Sequence, residues 1–156
     1  MRKPKIYIET TLFNYYFEPG REAHADTVRL FAEIKSGKYA AFTSTAVVEE
    51  LEKAPDEKRS RMIALLNEFQ ITIMPVSDSV KELAEQYVAA GIIPHACLPD
   101  AHHIAAATVN DMDMIVSLNF KHIVRRKTVE MTGFVNLRAG YRNIGIYSPM
   151  EIAGDE

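Results

Sequence analysis

Four side chains are of the types that hold hard divalent cations, and each stands where α/β proteins gather their chemistry: Glu9, Glu50, Asp100 and Asn119. Glu9 closes the β-branched, aromatic run from Lys5 to Ile8, and Glu50 lies in the helical pattern after Ser44-Thr45. Asp100 follows Leu98-Pro99 at a helix start, and Asn119 leaves the β-rich run Met114 to Leu118. Ligands of open α/β sheets bind beyond the carboxyl ends of the strands, so all four are expected on one rim. Carboxylates gathered in a dry cleft repel one another unless one is protonated or a cation binds. Oxygen donors with an amide among them suit Mg²⁺ or Mn²⁺, which keep waters and bridge to a substrate phosphate. The chemistry implied is hydrolysis of a phosphodiester by a metal-activated water. Read otherwise, the same acids are separate caps and surface residues, and spacing alone leaves both readings open.

Other polar residues are weaker candidates. Glu50 borders the apolar face set by Val47, Leu51 and Ala54, whereas Glu49 precedes Lys53 by four positions and suits a surface pair. Asp111 and Asp113 precede the Met114 strand and so belong to its amino end, as turn residues. His102 and His103 adjoin Asp100 but point in different directions on a helix; one can support the site indirectly, and packing or solvent is the plainer role. Lys121, Arg125, Arg138 and Arg142 are candidate phosphate contacts, each equally readable as a surface cation. Cys97, the single cysteine, is expected to pack rather than react, and Phe13, Tyr15, Tyr16 and Phe17 read as core or dimer interface before base-stacking platform.

The elements that must position these groups alternate along the chain. A strand at Lys5 to Glu9 precedes an aromatic segment broken at Glu18-Pro19-Gly20, then a helix from His24 to Ser36 closed by Gly37. A strand from Tyr39 to Thr43 leads into a helix capped by Ser44 or Thr45 and ended before Pro55. Asp56 to Arg61 reads as a charged connector before a helix carrying Met62, Leu65, Leu66 and Phe69. Pro75 marks Ile71 to Val76 as an edge strand or strand end. Ser79 with Glu82 forms a capping pattern for a helix stopped by Gly91. After Leu98-Pro99-Asp100 a helix runs to Asn110-Asp111, and Met131 to Leu137 and Ile144 to Tyr147 are candidate late strands before a brief helix at Ser148-Pro149-Met150-Glu151. Such alternation predicts an α/β fold, a three-layer α/β/α sandwich with a central, mostly parallel sheet.

With 156 residues and no linker or repeat, a single domain spanning 1–156 is expected. No apolar run approaches the roughly 18 residues of a membrane span, and the first residues lack a signal-peptide core, so a cytoplasmic protein is expected. The net charge of −3 argues against a broad basic surface, without excluding nucleic acid where acids bind cations and bases cluster locally. No glycine-flanked nucleophile elbow supports a serine or cysteine hydrolase, and the acids are in poor register for a receiver-type phosphoacceptor.

The segments IYIETT, TSTAVVEEL, GIIPHACLPDAHHIAAAT and IVSLNFKHI resemble the PIN-domain family, particularly its VapC-like branch of bacterial toxin–antitoxin nucleases. The resemblance runs from Lys5 to about Ile152, with its most specific motifs in the last two segments. It implies an α/β/α ribonuclease with an acidic Mg²⁺ or Mn²⁺ site built by Glu9, Glu50, Asp100 and, at the fourth position, Asn119. Thr10 matches a hydroxyl residue that orients the first acid or a metal-bound water. The family's first acid is usually aspartate, so Glu9 adds a methylene, and Asn119 offers a neutral carbonyl where aspartate is frequent. The NFKHI ending resembles a recurrent variant of one PIN subgroup. An RNA substrate, a homodimer and an antitoxin that inserts an element into the acidic groove are further implications. The rival implication is a catalytically weak or inactive PIN domain that binds RNA or protein.

Overall fold

Two fully buried apolar runs form the centre of the sheet: Ile6, Tyr7 and Ile8 in β1 (Lys5–Ile8), and Ile115 and Val116 in β4 (Met114–Val116). Strands covered on both faces read as continuous hydrophobic runs, as these do. With β2 (Ala40–Ser44), β3 (Thr72–Met74) and β5 (Gly145–Tyr147) they make a five-stranded sheet in the order β3-β2-β1-β4-β5. Every pairing is parallel, with Tyr7 opposite Phe42 on one side and Ile115 on the other. The computed structural model describes residues 2–154, so Met1 and the last two residues of the expected 1–156 unit lie outside the described residues.

Parallel neighbours need crossover connections, and helices supply them. These are α1 (Thr10–Tyr15), α2 (His24–Lys35), α3 (Thr45–Glu52), α4 (Asp56–Glu68), α5 (Asp78–Ala89), α6 (Leu98–Val109), α7 (Arg126–Arg138) and α8 (Pro149–Ile152), with a 3₁₀ turn at His95–Cys97. Gly37 and Gly91 take φ of +90° and +77° just past α2 and α5, the left-handed stops their positions suggest. Asp111 does the same work after α6 at φ +59°, a conformation aspartate tolerates better than most side chains. Edge-to-face contacts join Tyr16 to Phe17, Phe31 and Phe69, and Phe13 to Phe31, placing the aromatic segment against the core.

Three local readings change. Met131 to Leu137 is not a strand but part of α7; Thr128, Thr132, Val135 and Asn136 are buried at helical spacing, and the β4–β5 crossover requires a helix there. Asp56 to Arg61 is the start of α4 rather than a connector, since Asp56 and Glu57 complement its amino-terminal dipole. Ser77, not Ser79, caps α5, accepting from the Val80 N–H at 3.3 Å. Between α5, α6 and α7 a buried polar triad replaces apolar packing: the Tyr87 hydroxyl donates to Asn136 Oδ1 at 2.5 Å and lies 3.2 Å from Thr108 Oγ1. Among the described residues no helix is long and apolar enough to cross a membrane.

Candidate active site

The strand order puts a topological switch between β1 and β4: from β1 the chain moves outward to β2 and β3, then returns to lay β4 on the other side. Crevices open at the carboxyl ends of strands at such a point. Glu9 leaves β1 there and Ser117 to Asn119 leave β4 there. Glu9 is 3% exposed, and its Oε1 accepts from the Thr11 hydroxyl at 2.6 Å, the Thr11 N–H at 3.2 Å and the Ser117 hydroxyl at 2.6 Å. Thr11 Oγ1 in turn accepts from the Leu118 N–H at 2.8 Å, and Ser117 Oγ from the Asn119 N–H at 2.9 Å, so one network ties both strand exits. Burial nevertheless pushes the Glu9 carboxyl above its ordinary range, against the charge of His103 and those hydrogen bonds.

On α3, Glu50 projects toward the same rim with one-third of its side chain exposed. Its Oε1 lies 2.5 Å from Nε2 of His103, which α6 holds fully buried. The other ring nitrogen of His103 is 2.8 Å from the Tyr7 hydroxyl, itself 2.7 Å from Ser44 Oγ. Burial disfavours the imidazolium, but the Glu50 hydrogen bond and the charges of Glu9, Glu50 and Asp100 outweigh it and raise the His103 pKa. With both ring nitrogens protonated, Nε2–H donates to Glu50 and Nδ1–H to Tyr7, whose hydroxyl donates to Ser44; burial keeps that phenol protonated. The pairing acts on Glu50 in return: burial pushes its carboxyl up, yet the His103 hydrogen bond and charge hold it below the usual range.

Asp100 stands in the first turn of α6, half-buried. Burial raises its pKa, opposed by a hydrogen bond from Asn119 and the charges of His103 and His122, and Glu50 adds repulsion. Asn119 accepts the His122 N–H on its Oδ1 at 3.0 Å, so its amide donates toward Asp100 while its carbonyl oxygen closes a turn. The three acids therefore act on a single imidazole, with their ligand oxygens not all within 4.8 Å of one another as the side chains stand. Three carboxylates against one cation leave a residual charge of −2 when all are ionised, and two of the acids have raised pKa values as a result of burial in this crevice. One hard dication would neutralise that excess, and the oxygen donors fit Mg²⁺ or Mn²⁺. The Thr10 hydroxyl is buried beside Glu50 and favours its ionised form.

Several residues take other work. Arg125 is a brace, donating to Thr128 Oγ1 at 3.0 Å and to the Ile92 carbonyl at 2.6 Å, rather than an open phosphate contact. Arg142 lies at the opposite, amino end of the sheet with Asp111 at 2.9 Å and Asp113 at 3.5 Å. Asp113 accepts from Arg2 and from the Lys5 N–H, and the Arg2 hydrogen bond lowers its pKa to about 2. Lys121 and Arg138 remain exposed. Sequence reasoning gave His103 no central part and overlooked Thr11 and Ser117. The spacing of Asp100 and His103, three apart on one helix face, was the available signal for the histidine.

No protein family matches the sequence, and no curated protein matches it. The likeness to solved structures lies in the fold, and the fold is PIN-like: an all-parallel five-stranded sheet flanked by helices. Within that class the fold is similar to those of two solved VapC and VapBC proteins. VapC20 of Mycobacterium tuberculosis, a toxin that cleaves the sarcin–ricin loop, superposes with a TM-score of 0.59 at 14% identity, over 89% of this chain and 98% of that one. VapBC2 from Rickettsia felis, bound to a DNA fragment from its promoter, gives a TM-score of 0.53 at 15% identity, over 74% of this chain and 88% of that one.

Proposed function

We propose that this chain is a single-domain, metal-dependent endoribonuclease that hydrolyses RNA phosphodiester bonds, the toxin of a toxin–antitoxin pair. The observation that carries this reading is the convergence of Glu9, Glu50 and Asp100 on the switch-point crevice of a VapC-like fold, with more negative charge than His103 offsets. Glu9, Glu50 and Asp100 would hold Mg²⁺ or Mn²⁺, with the Asn119 carbonyl beside them. The ion would supply an activated water and a counter-charge for the leaving oxygen. The chain's own residues do the rest. Thr11 and Ser117 fix the Glu9 carboxylate, His103 fixes Glu50, and the Asn119 amide fixes Asp100. Thr10, beside Glu50, would help hold that carboxylate in its ionised form. VapC20 cuts the sarcin–ricin loop, and a structured RNA is the corresponding substrate class here. VapBC2 supports an antitoxin partner, which would cover the acidic crevice, and we extend the reading to a cytoplasmic homodimer.

One observation favours a second reading. His103 already gives Glu50 a buried partner at 2.5 Å and its pKa is raised toward the charged form, which suits a catalytically weak PIN domain that binds RNA or protein. Cleavage of a mixed RNA pool, alongside calorimetric titration with Mg²⁺ and Mn²⁺, separates the two. The nuclease reading requires both cutting and metal binding in the wild type and their loss in Asp100→Asn. Wild-type protein that binds RNA but neither metal nor cuts it leaves the binding module.

A further inference from the structure

Beside the acidic crevice the structure assembles a second, chemically different set of ligand atoms. We propose that Cys97, Asp100 and His122 form a site for a borderline transition-metal ion, Zn²⁺ by preference, with an open fourth position. One sulfur, one nitrogen and one oxygen from these residues lie within 4.8 Å of one another, and among the described residues no other trio does so. Cys97 Sγ and His122 Nε2 are 3.4 Å apart. Zinc bonds of about 2.3 Å to sulfur and about 2.0 Å to nitrogen at a tetrahedral angle separate the two donors by about 3.5 Å. Closing the site on an ion therefore needs almost no movement along that edge.

The residues come from two elements held rigidly. The 3₁₀ turn His95–Cys97 ends on Cys97 and runs directly into α6, where Asp100 sits in the first turn. His122 is fixed from both sides: its N–H donates to Asn119 and its carbonyl accepts the Thr128 hydroxyl at 2.6 Å. Its Nδ1 is buried without a partner, which leaves Nε2 as the nitrogen that meets other groups. All three side chains are half-buried, open enough for an ion and a water to enter. A thiolate and an imidazole select zinc-like ions over Mg²⁺, so this site differs in chemistry from the carboxylate set while sharing Asp100 with it. Two dications flanking one carboxylate repel, so zinc here would weaken Mg²⁺ at the crevice.

Co²⁺ reports this directly when titrated into the metal-free full chain under a non-coordinating reductant. The expected result is a thiolate-to-cobalt charge-transfer band with tetrahedral d–d bands, both removed by one equivalent of Zn²⁺. Cys97→Ser should lose the charge-transfer band, and His122→Gln should bind at least about tenfold more weakly, since even outer-sphere changes cost that much. Glu9→Gln should leave both unchanged, which separates this site from the nuclease reading whether or not RNA is cut. A Co²⁺ complex lacking the thiolate band, a band that persists in Cys97→Ser, or full affinity in His122→Gln overturns the proposal. Should a variant fail to fold, paramagnetically shifted imidazole protons in Co²⁺-loaded wild type decide it: their absence refutes histidine ligation.

Discussion

Replacing His103 with leucine probes the centre of the site. The change keeps a similar volume in a fully buried position but strips Glu50 of its partner at 2.5 Å and removes the acceptor-paired Nδ1 from Tyr7. Breaking a buried ion pair from one side costs about 3–5 kcal/mol. The 33% exposure of the Glu50 side chain lets water solvate the stranded carboxylate and puts the cost at the lower end. For a domain of this size about 3 kcal/mol lowers Tm by about 6–12 °C. The loss depends on pH, because the folded pKa of His103 is raised. Its charge contributes fully below the unfolded value of about 6.5 and fades as pH rises through the folded value. At high pH the gap should shrink toward the lost hydrogen bonds, about 1–2 kcal/mol. Thermal melts of both proteins in chelator from about pH 6 to about pH 9 test this. A gap that is flat across that range, or under about 1 kcal/mol at the acid end, would refute a charged His103.

Glu9→Gln and Asp100→Asn remove carboxylates whose pKa values burial raises, so each should increase Tm in metal-free protein at neutral pH while lowering RNA cleavage at least about 100-fold. A melt unchanged or lowered by both substitutions contradicts the electrostatic account. Saturating Mg²⁺ at about 100 times its Kd should stabilise wild type by about 2.7 kcal/mol, about 5–10 °C in Tm, and leave Asp100→Asn unmoved in differential scanning calorimetry. Lys121→Ala should weaken RNA binding and flatten its log–log salt slope by about 0.7, whereas Arg142→Ala, whose guanidinium sits with Asp111 at the far end of the sheet, should leave both as they are. Arg125→Ala should cost about 1.5–3 kcal/mol of stability by stranding the Ile92 carbonyl, read in urea melts, with no change in that salt slope.

What the sequence by itself determined is what local chain chemistry decides. Glu9 had to end a strand because the β-branched run stops there, Asp100 had to open a helix after Leu98-Pro99, and Gly37 and Gly91 had to stop helices because only they take φ > 0 cheaply. The alternation of strands and helices fixed a parallel sheet before any contact was known. Tertiary structure decided the rest. Met131 to Leu137 is β-prone locally, yet the β4–β5 crossover makes it helix. Thr11 rather than Thr10 grips Glu9, because side-chain direction at a helix start depends on backbone angles that spacing does not reveal. Arg125 is spent on a carbonyl that lies 33 positions earlier in the chain, and Cys97 meets His122 across 25. The pKa of His103 is raised only because folding surrounds it with three acids whose charges outweigh its burial, since pKa depends on burial and neighbours rather than on residue type.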